Sequence, residues 1–363
     1  MRILFICGTL EPGKDGVGDY TRRLAGALAT TGNDVFLISL NDSYVTDAKA
    51  EIQNIDVAVI HTCRISSQLD DTTRFIQAKK VIDAFNPDWI SLQFVIFSFH
   101  PKGLPWSIGD KLKSILGNRN VHVMFHELWV AMDQQSLFKL KVLGLIQKII
   151  IKKILKRIHP NIIHTHTPLY KWQLNRIGYQ AKILSLFGNV PLTEGYKKEQ
   201  LGYRFVVFGS IHFGAPIEVF ARELRSLKHS YNKTPEVVFV GRCGNERAHW
   251  EQALSAAGIA NISLGEQTVE QISELLAGAA FGITSTPYIL TEKSGTVAAM
   301  LEHSLPVICV AREWNVDGFD PGKESISAIY EYKPGFLQAI LKSDLVQKRK
   351  LADITNQFIQ SLK

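Results

Sequence analysis

AFGITSTPYILTEKSGTVAAMLEHSLPVICV (280–310) carries the clearest architectural signal of this chain. AFGITS (280–285) and LPVICV (305–310) are apolar runs of strand length, and the segment between them carries helical apolar spacing over 295–303. Strands that are apolar on both faces and joined through a helix belong to a parallel sheet covered by helices on both sides. Outward from this unit the alternation continues. RFVVFGS (204–210), EVVFVGR (236–242) and NISLG (261–265) read as strands, with helices at 217–228, 246–257 and 269–278. The first half repeats the pattern, with strands near 2–7, 34–40, 56–61, 89–94, 121–126, 161–165 and 182–187 and helices at 19–31, 71–84 and 137–158.

The chain has 363 residues, enough for two α/β domains of ordinary size. The polar stretch GNVPLTEGYKKEQLGY (188–203) divides them. The expected organisation is a first domain over 1–187, a linker over 188–203 and a second domain over 204–335. A terminal helical segment over 336–363 is expected to cross back and brace the first domain.

With 46% hydrophobic and 21% charged residues the chain is globular and not disordered. Its first apolar run is too short for a secretory signal and reads as a buried strand. Cys7, Cys63, Cys243 and Cys309 form no metal-spaced pair, and buried reduced thiols in a cytoplasmic protein are expected. Residues 134–193 hold ten Lys and Arg and no acid, so this one stretch more than accounts for the net charge of +7.

Four places carry candidate chemistry. In GTLEPGKDGVGDY (8–20), Gly16 and Gly18 are expected just before a helix, where bare backbone N–H groups can meet an anion. The spacing is not that of the dinucleotide fingerprint. In Thr291 to Val297, Ser294, Gly295 and Thr296 are expected to open a helix, with the Lys293 charge beside them to meet a diphosphate. His126 and Glu127 end the strand VHVMFHELW (121–129), and Arg242, at the end of EVVFVGR, is expected to join Lys293 and the helix termini in meeting the phosphate charge. His159, His164 and His166 lack an accompanying carboxylate or cysteine, and no Asp-x-Asp pair occurs, so neither a metal nor another cofactor is expected.

These spans together resemble family-four glycosyltransferases. GVGDYTRRLAGALATTGNDVFLIS (16–39) is similar to the family's opening loop, helix and strand, and PDWISLQFVIFSF (87–99) to its acceptor-side strand. FHELW (125–129) resembles its histidine strand end. VVFVGRCG, ISLGEQTVEQISELLAGAAFGITSTP and SGTVAAMLEHSLPVI, in that order, resemble its donor half.

The resemblance implies the GT-B fold, two Rossmann-like doubly wound domains facing each other across a cleft. It also implies metal-independent transfer of a sugar, with retention, from a nucleotide-diphosphate sugar to a glycan or lipid-linked acceptor. Gly16 and Gly18 would then approach the donor phosphate, His126 would bind the donor sugar, and Lys293 to Thr296 would hold the diphosphate. The sequence departs from the family in two places. The paired glutamates fall on Thr291 and Ala299, or on Glu292 and Met300, so Glu292 is the one candidate catalytic carboxylate and its second partner is lost. The Arg/Lys pair after the first donor-half strand is replaced by GSIHFGAP (209–216), with His212 alone.

Two other classes share this outline, a sugar-nucleotide isomerase and a non-catalytic GT-B scaffold protein. Residues 137–158 form a basic, largely apolar helix. They imply peripheral attachment to the cytoplasmic face of an anionic membrane, and no nucleic-acid partner.

Overall fold

The computed structural model describes residues 1–193, 203–231, 234–321, 329–342 and 350–363. The chain divides into two compact units. Unit 1 comprises 1–185, 315–319 and 351–363, and unit 2 comprises 186–314 and 320–350.

Unit 1 is built on an eight-stranded sheet of β1 (Arg2–Cys7), β2 (Asp34–Asp42), β3 (Lys49–Ile55), β4 (Ala58–Ser66), β5 (Trp89–Phe94), β6 (Asn120–Phe125), β7 (Ile162–Thr165) and β8 (Lys182–Ile183). Its order is β3-β4-β2-β1-β5-β6-β7-β8. Every pairing is parallel except β3 with β4. That hairpin corrects the expected strand at 56–61. Asp56 turns the chain with φ 51°, and β4 runs on to Ser66. The edge partner β3 is mostly polar and so lacks the apolar signature of its neighbours. The helices are α1 (Gly16–Thr30), α2 (Asp71–Phe85), α3 (Ile108–Leu116), α4 (Phe138–Ile158) and α5 (Pro168–Arg176). Neither α3 nor α5 was expected from the sequence.

Unit 2 has six parallel strands, β9 (Tyr203–Phe208), β10 (Pro235–Val240), β11 (Ala260–Gly265), β12 (Phe281–Thr284), β13 (Val307–Cys309) and β14 (Ile329–Glu331). They lie in the order β11-β10-β9-β12-β13-β14. Helices α6 (Ile217–Tyr231), α7 (Arg247–Ala256), α8 (Val269–Gly278) and α9 (Gly295–Glu302) connect them. Apolar clusters cover both faces of the sheet, one around Phe205, Phe239 and Trp250 and the other around Val206, Val238 and Met300. Burial on both faces explains why these strands read as unbroken apolar runs.

The expected terminal helix contains two described pieces, α10 (Leu337–Leu341) in unit 2 and α11 (Leu351–Ser361) in unit 1. Residues 343–349 of that stretch and 194–202 of the expected linker lie outside the described residues. In α11, Phe358 is fully buried and packs its ring on Phe5 and His122 at 5.9 and 5.1 Å.

Candidate functional site

Open parallel sheets bind ligands beyond the carboxyl ends of their strands, where the strand order reverses. In unit 2 that point lies between β9 and β12. A cavity of about 390 Å³ sits there, lined by Phe208, Ser210 and His212 after β9, Thr286 after β12, Ser294, Gly295, Thr296 and Ala299 of α9, and Asn189 and Val190.

Two glycines shape it. Gly209 turns the chain out of β9 at φ 87°, and a Cβ there would lie 2.6 Å from Thr296 Cγ2, so only glycine lets the start of α9 sit over this strand end. Gly188 presses on α9 from another side, where a Cβ would lie 2.5 Å from Ala299 Cα.

The expected helix start is present. Ser294 is the N-cap of α9; its Oγ accepts from Val297 N at 3.4 Å and lies 3.1 Å from Thr296 Oγ1. The first N–H groups of a helix have no partner within it, so those of Gly295 and Thr296 are available to a ligand in the cavity. A Cβ on Gly295 would meet nothing within 4 Å. Lys293 ends the preceding 3-10 turn, Tyr288–Lys293. Burial holds the His212 imidazole below its ordinary pKa, and the Lys293 charge lowers it further. His212 N donates to Ser285 Oγ at 2.7 Å, which fixes the loop that carries its side chain.

Other expected residues fall elsewhere. Glu292 lies half-buried in the 3-10 turn and does not line the cavity. Arg242 is 79% exposed and pairs with Glu266 at 2.6 Å, so its charge is directed to solvent, and it does not line the cavity. Ala299 faces the cavity, whereas Met300 is buried with its sulfur against Gly282. Of the two positions considered for the second glutamate, 299 is therefore the one beside the cavity.

The glycine loop of unit 1 differs from expectation. Gly16 and Gly18 lie within the first turn of α1, not ahead of it, and Asp15 is the N-cap, accepting from Val17 N at 2.8 Å. Burial raises the Asp15 pKa, against the pull of the Val17 and Gly18 N–H groups, and the charges of Asp19 and Glu127 raise it further. Of the donors expected to meet a phosphate, the Gly18 N–H thus already serves a carboxylate, in acidic surroundings. Gly18 has a packing reason of its own, since a Cβ would lie 2.5 Å from Thr9 O.

His126 stands at the end of β6, buried. Its Nε2 lies 2.9 Å from Gln93 Oε1 and its Nδ1 lies 3.0 Å from His166 Nε2. Both ring nitrogens that would have bound a donor sugar are thus engaged inside the protein. His164 bonds His122, while His159 caps α4 in the left-handed region, so the three histidines near in sequence do not converge. Among the described residues no three His, Cys, Asp or Glu side chains form a group able to hold a metal. All four cysteines are buried and free.

Asn189, Ser210 and Thr286 were not singled out by sequence. Only the strand order brings them together, and the signal that could have found them is their position just after an apolar run.

No protein-family model and no curated protein matches the sequence. Solved structures do match in shape. HepE from Anabaena, in complex with UDP and glucose, superposes with a TM-score of 0.61 at 13% identity, covering 100% of this chain and 99% of that one. A putative UDP-N-acetylglucosamine 2-epimerase from Listeria monocytogenes gives 0.58 at 11%, covering 100% and 95%. WaaG, a glycosyltransferase involved in lipopolysaccharide biosynthesis, gives 0.52 at 12%, covering 99% and 95%. At such identities the likeness is one of architecture, and with its two parallel-sheet units this chain has the GT-B fold.

Proposed function

We propose that this chain is a sugar-nucleotide enzyme, a retaining glycosyltransferase that moves a sugar from a nucleotide diphosphate to a glycan or lipid-linked acceptor. The observation that carries the reading is the unit 2 cavity. It lies at the strand-order reversal of a parallel sheet, with the N-terminus of α9 in its wall and Lys293 next to it. In this reading the diphosphate sits on the N–H groups of Gly295 and Thr296, with the Ser294 and Thr296 hydroxyls and the Lys293 ammonium around it. As the sugar–oxygen bond breaks, negative charge grows on the departing phosphate, and these fixed donors meet it without a metal ion. His212, its pKa lowered by burial and by Lys293, supplies one more hydrogen bond.

UDP-sugars are the first donors to test, because HepE was solved with UDP and glucose and the Listeria protein carries a UDP-sugar name. Calorimetric titration with UDP, GDP and ADP should show binding of at least one, weakened in Lys293→Ala. Absence of binding by all three removes the reading and leaves a scaffold role.

The 2-epimerase likeness favours a second reading, inversion at a carbon of the donor sugar without any acceptor. The two separate on products. A transferase releases the nucleotide only as sugar is transferred or hydrolysed, whereas an isomerase returns an epimeric sugar nucleotide, visible by proton NMR.

A further inference from the structure

Unit 1 contains a cavity of its own, of about 240 Å³, beside the N-terminal turns of α2 and α3. Asp71 and Arg74 of α2, Lys111 of α3, and Phe99, His100 and Trp106 from the loop after β5 are in its wall.

The polar side is fixed in advance. Asp71 accepts from Arg74 Nη2 on one oxygen and from Lys111 Nζ on the other. Arg74 Nη1 is tied to Leu40 O at 3.0 Å and Asn41 Oδ1 at 2.7 Å, while its Nε is buried with no hydrogen-bond partner. His100 Nδ1 accepts from Lys102 N at 3.1 Å and Leu104 N at 3.3 Å, so the neutral ring carries its proton on Nε2 as a donor. The other side is aromatic. Trp106 is 51% exposed, and Phe99 is stacked on Phe94 at 5.6 Å.

Size and chemistry narrow the ligand. The volume is below the roughly 300–1,000 Å³ of a site for a drug-sized molecule, so one ring fits and a nucleotide does not. An anion would lie beside the ionised Asp71, which already compensates one of the two cations. A sugar ring suits both sides, since its C–H face covers an indole while its hydroxyls donate to a carboxylate and accept from guanidinium and imidazole N–H. Because the Asp71–Arg74–Lys111 set is already in place, little side-chain ordering opposes binding.

We propose that this cavity is a binding subsite for a single neutral sugar ring, with Trp106 as the stacking platform and Asp71 and Arg74 as the hydroxyl partners. The inference rests on unit 1 alone and does not depend on the nucleotide site of unit 2.

Saturation-transfer NMR on the full chain tests it, with the methyl glycosides of glucose, galactose, mannose and N-acetylglucosamine, each without and with excess UDP. At least one glycoside should receive saturation, most strongly at its ring C–H protons. The signal should fall at least fivefold in Trp106→Ala, whose half-exposed site leaves the fold intact, and in Asp71→Asn. No transfer to any of the four, transfer abolished by UDP, or transfer unchanged in both variants each overturns the proposal. UDP resonances in the same sample report the unit 2 site separately, so failure there is distinguishable from failure here.

Discussion

His126 Nδ1 lies 3.0 Å from His166 Nε2, between Leu184 O, 2.9 Å from His166 Nδ1, and Gln93 Oε1, 2.9 Å from His126 Nε2. Two acceptors at the ends of two imidazoles require three protons on the pair, hence a buried positive charge. If the Gln93 amide is turned over, the charge is unnecessary. Gln93 then donates to His126, His126 to His166 and His166 to Leu184 O. In the other direction His164 donates to His122, His122 to Ser91 and Ser91 to Gln93. A neutral, fully satisfied chain is cheaper than a buried imidazolium, and Tyr20 seals it with its ring edge-on to both His126 and His166 at 4.8 and 5.4 Å. Nitrogen-15 spectra of labelled histidine should therefore show His126 at pH 7 as the neutral tautomer with its proton on Nδ1. Two protonated nitrogens on that ring would refute the neutral chain.

The same chain makes the fold acid-sensitive. Burial, with Lys182 adding to it, pushes the His164 pKa down to about 4, and burial with His164 as neighbour lowers that of His122. An unfolded histidine titrates near 6.5, so below that pH the unfolded state binds more protons and stability falls. From His164 alone the loss should reach about 3 kcal/mol between pH 6.5 and 4, and none of it should appear above pH 7. Urea midpoints across this range check the sign, and His164→Gln should flatten the slope.

Much of the architecture was legible because parallel strands covered on both faces leave unbroken apolar runs. The run 204–210 announces β9, and Ser294 followed by Gly295 and Thr296 announces the cap of α9. What was not legible is non-local. His126 reads as a ligand because its partners, Gln93 on β5 and His166 just after β7, lie 33 and 40 residues away. Arg242 reads as a phosphate ligand because Glu266, which pairs with it, comes from the end of the next strand. Strand β3 escaped notice because an edge strand need not be apolar.

Phosphate binding in unit 2 should be sensitive to charge and indifferent to chelation. Lys293→Ala should weaken UDP by about 1.5–3 kcal/mol, the range for a charged hydrogen bond. Ser294→Ala should cost about 1 kcal/mol through the lost cap. EDTA should change neither affinity nor turnover. Unchanged affinity in both variants, or turnover lost to EDTA and restored by Mn²⁺, contradicts this placement of the charge.

Two glycines of the same cavity should respond in opposite ways. Gly188→Ala drives a Cβ onto the backbone of Ala299, which cannot yield as a side chain tip can, and should destabilise unit 2 by about 1–3 kcal/mol. Gly295→Ala meets only open space and gains about 0.5–1 kcal/mol of helix propensity, so stability should hold or rise while UDP affinity falls. Equal effects of the two on the urea midpoint would mean that Gly295 is a packing residue and not a floor for ligand.

The basic helix α4 supplies the last prediction. Its second half is anchored, with Ile150, Ile151, Ile154, Leu155 and Ile158 buried. Its beginning is not, since Leu137 is 72% exposed, Phe138 81% and Leu145 60%. Leu140 lies on this exposed portion as well, at 43%. Lys148 is placed over the Trp129 ring at 5.4 Å, whereas Lys139, Lys141, Lys152, Lys153 and Lys156 are exposed. No helix among the described residues is long and apolar enough to cross a membrane. Surface attachment instead combines Leu137, Phe138 and Leu145 in the headgroup region with lysines worth about 1 kcal/mol each near an anionic leaflet. Vesicle sedimentation should show binding that grows with anionic lipid and falls with salt. Lys152/Lys153/Lys156→Glu should remove the salt-sensitive part, and Phe138→Ser with Leu145→Ser the part that survives salt. If the wild type stays in the supernatant with anionic vesicles at low salt, these apolar side chains serve another contact and a water-soluble acceptor becomes the better expectation.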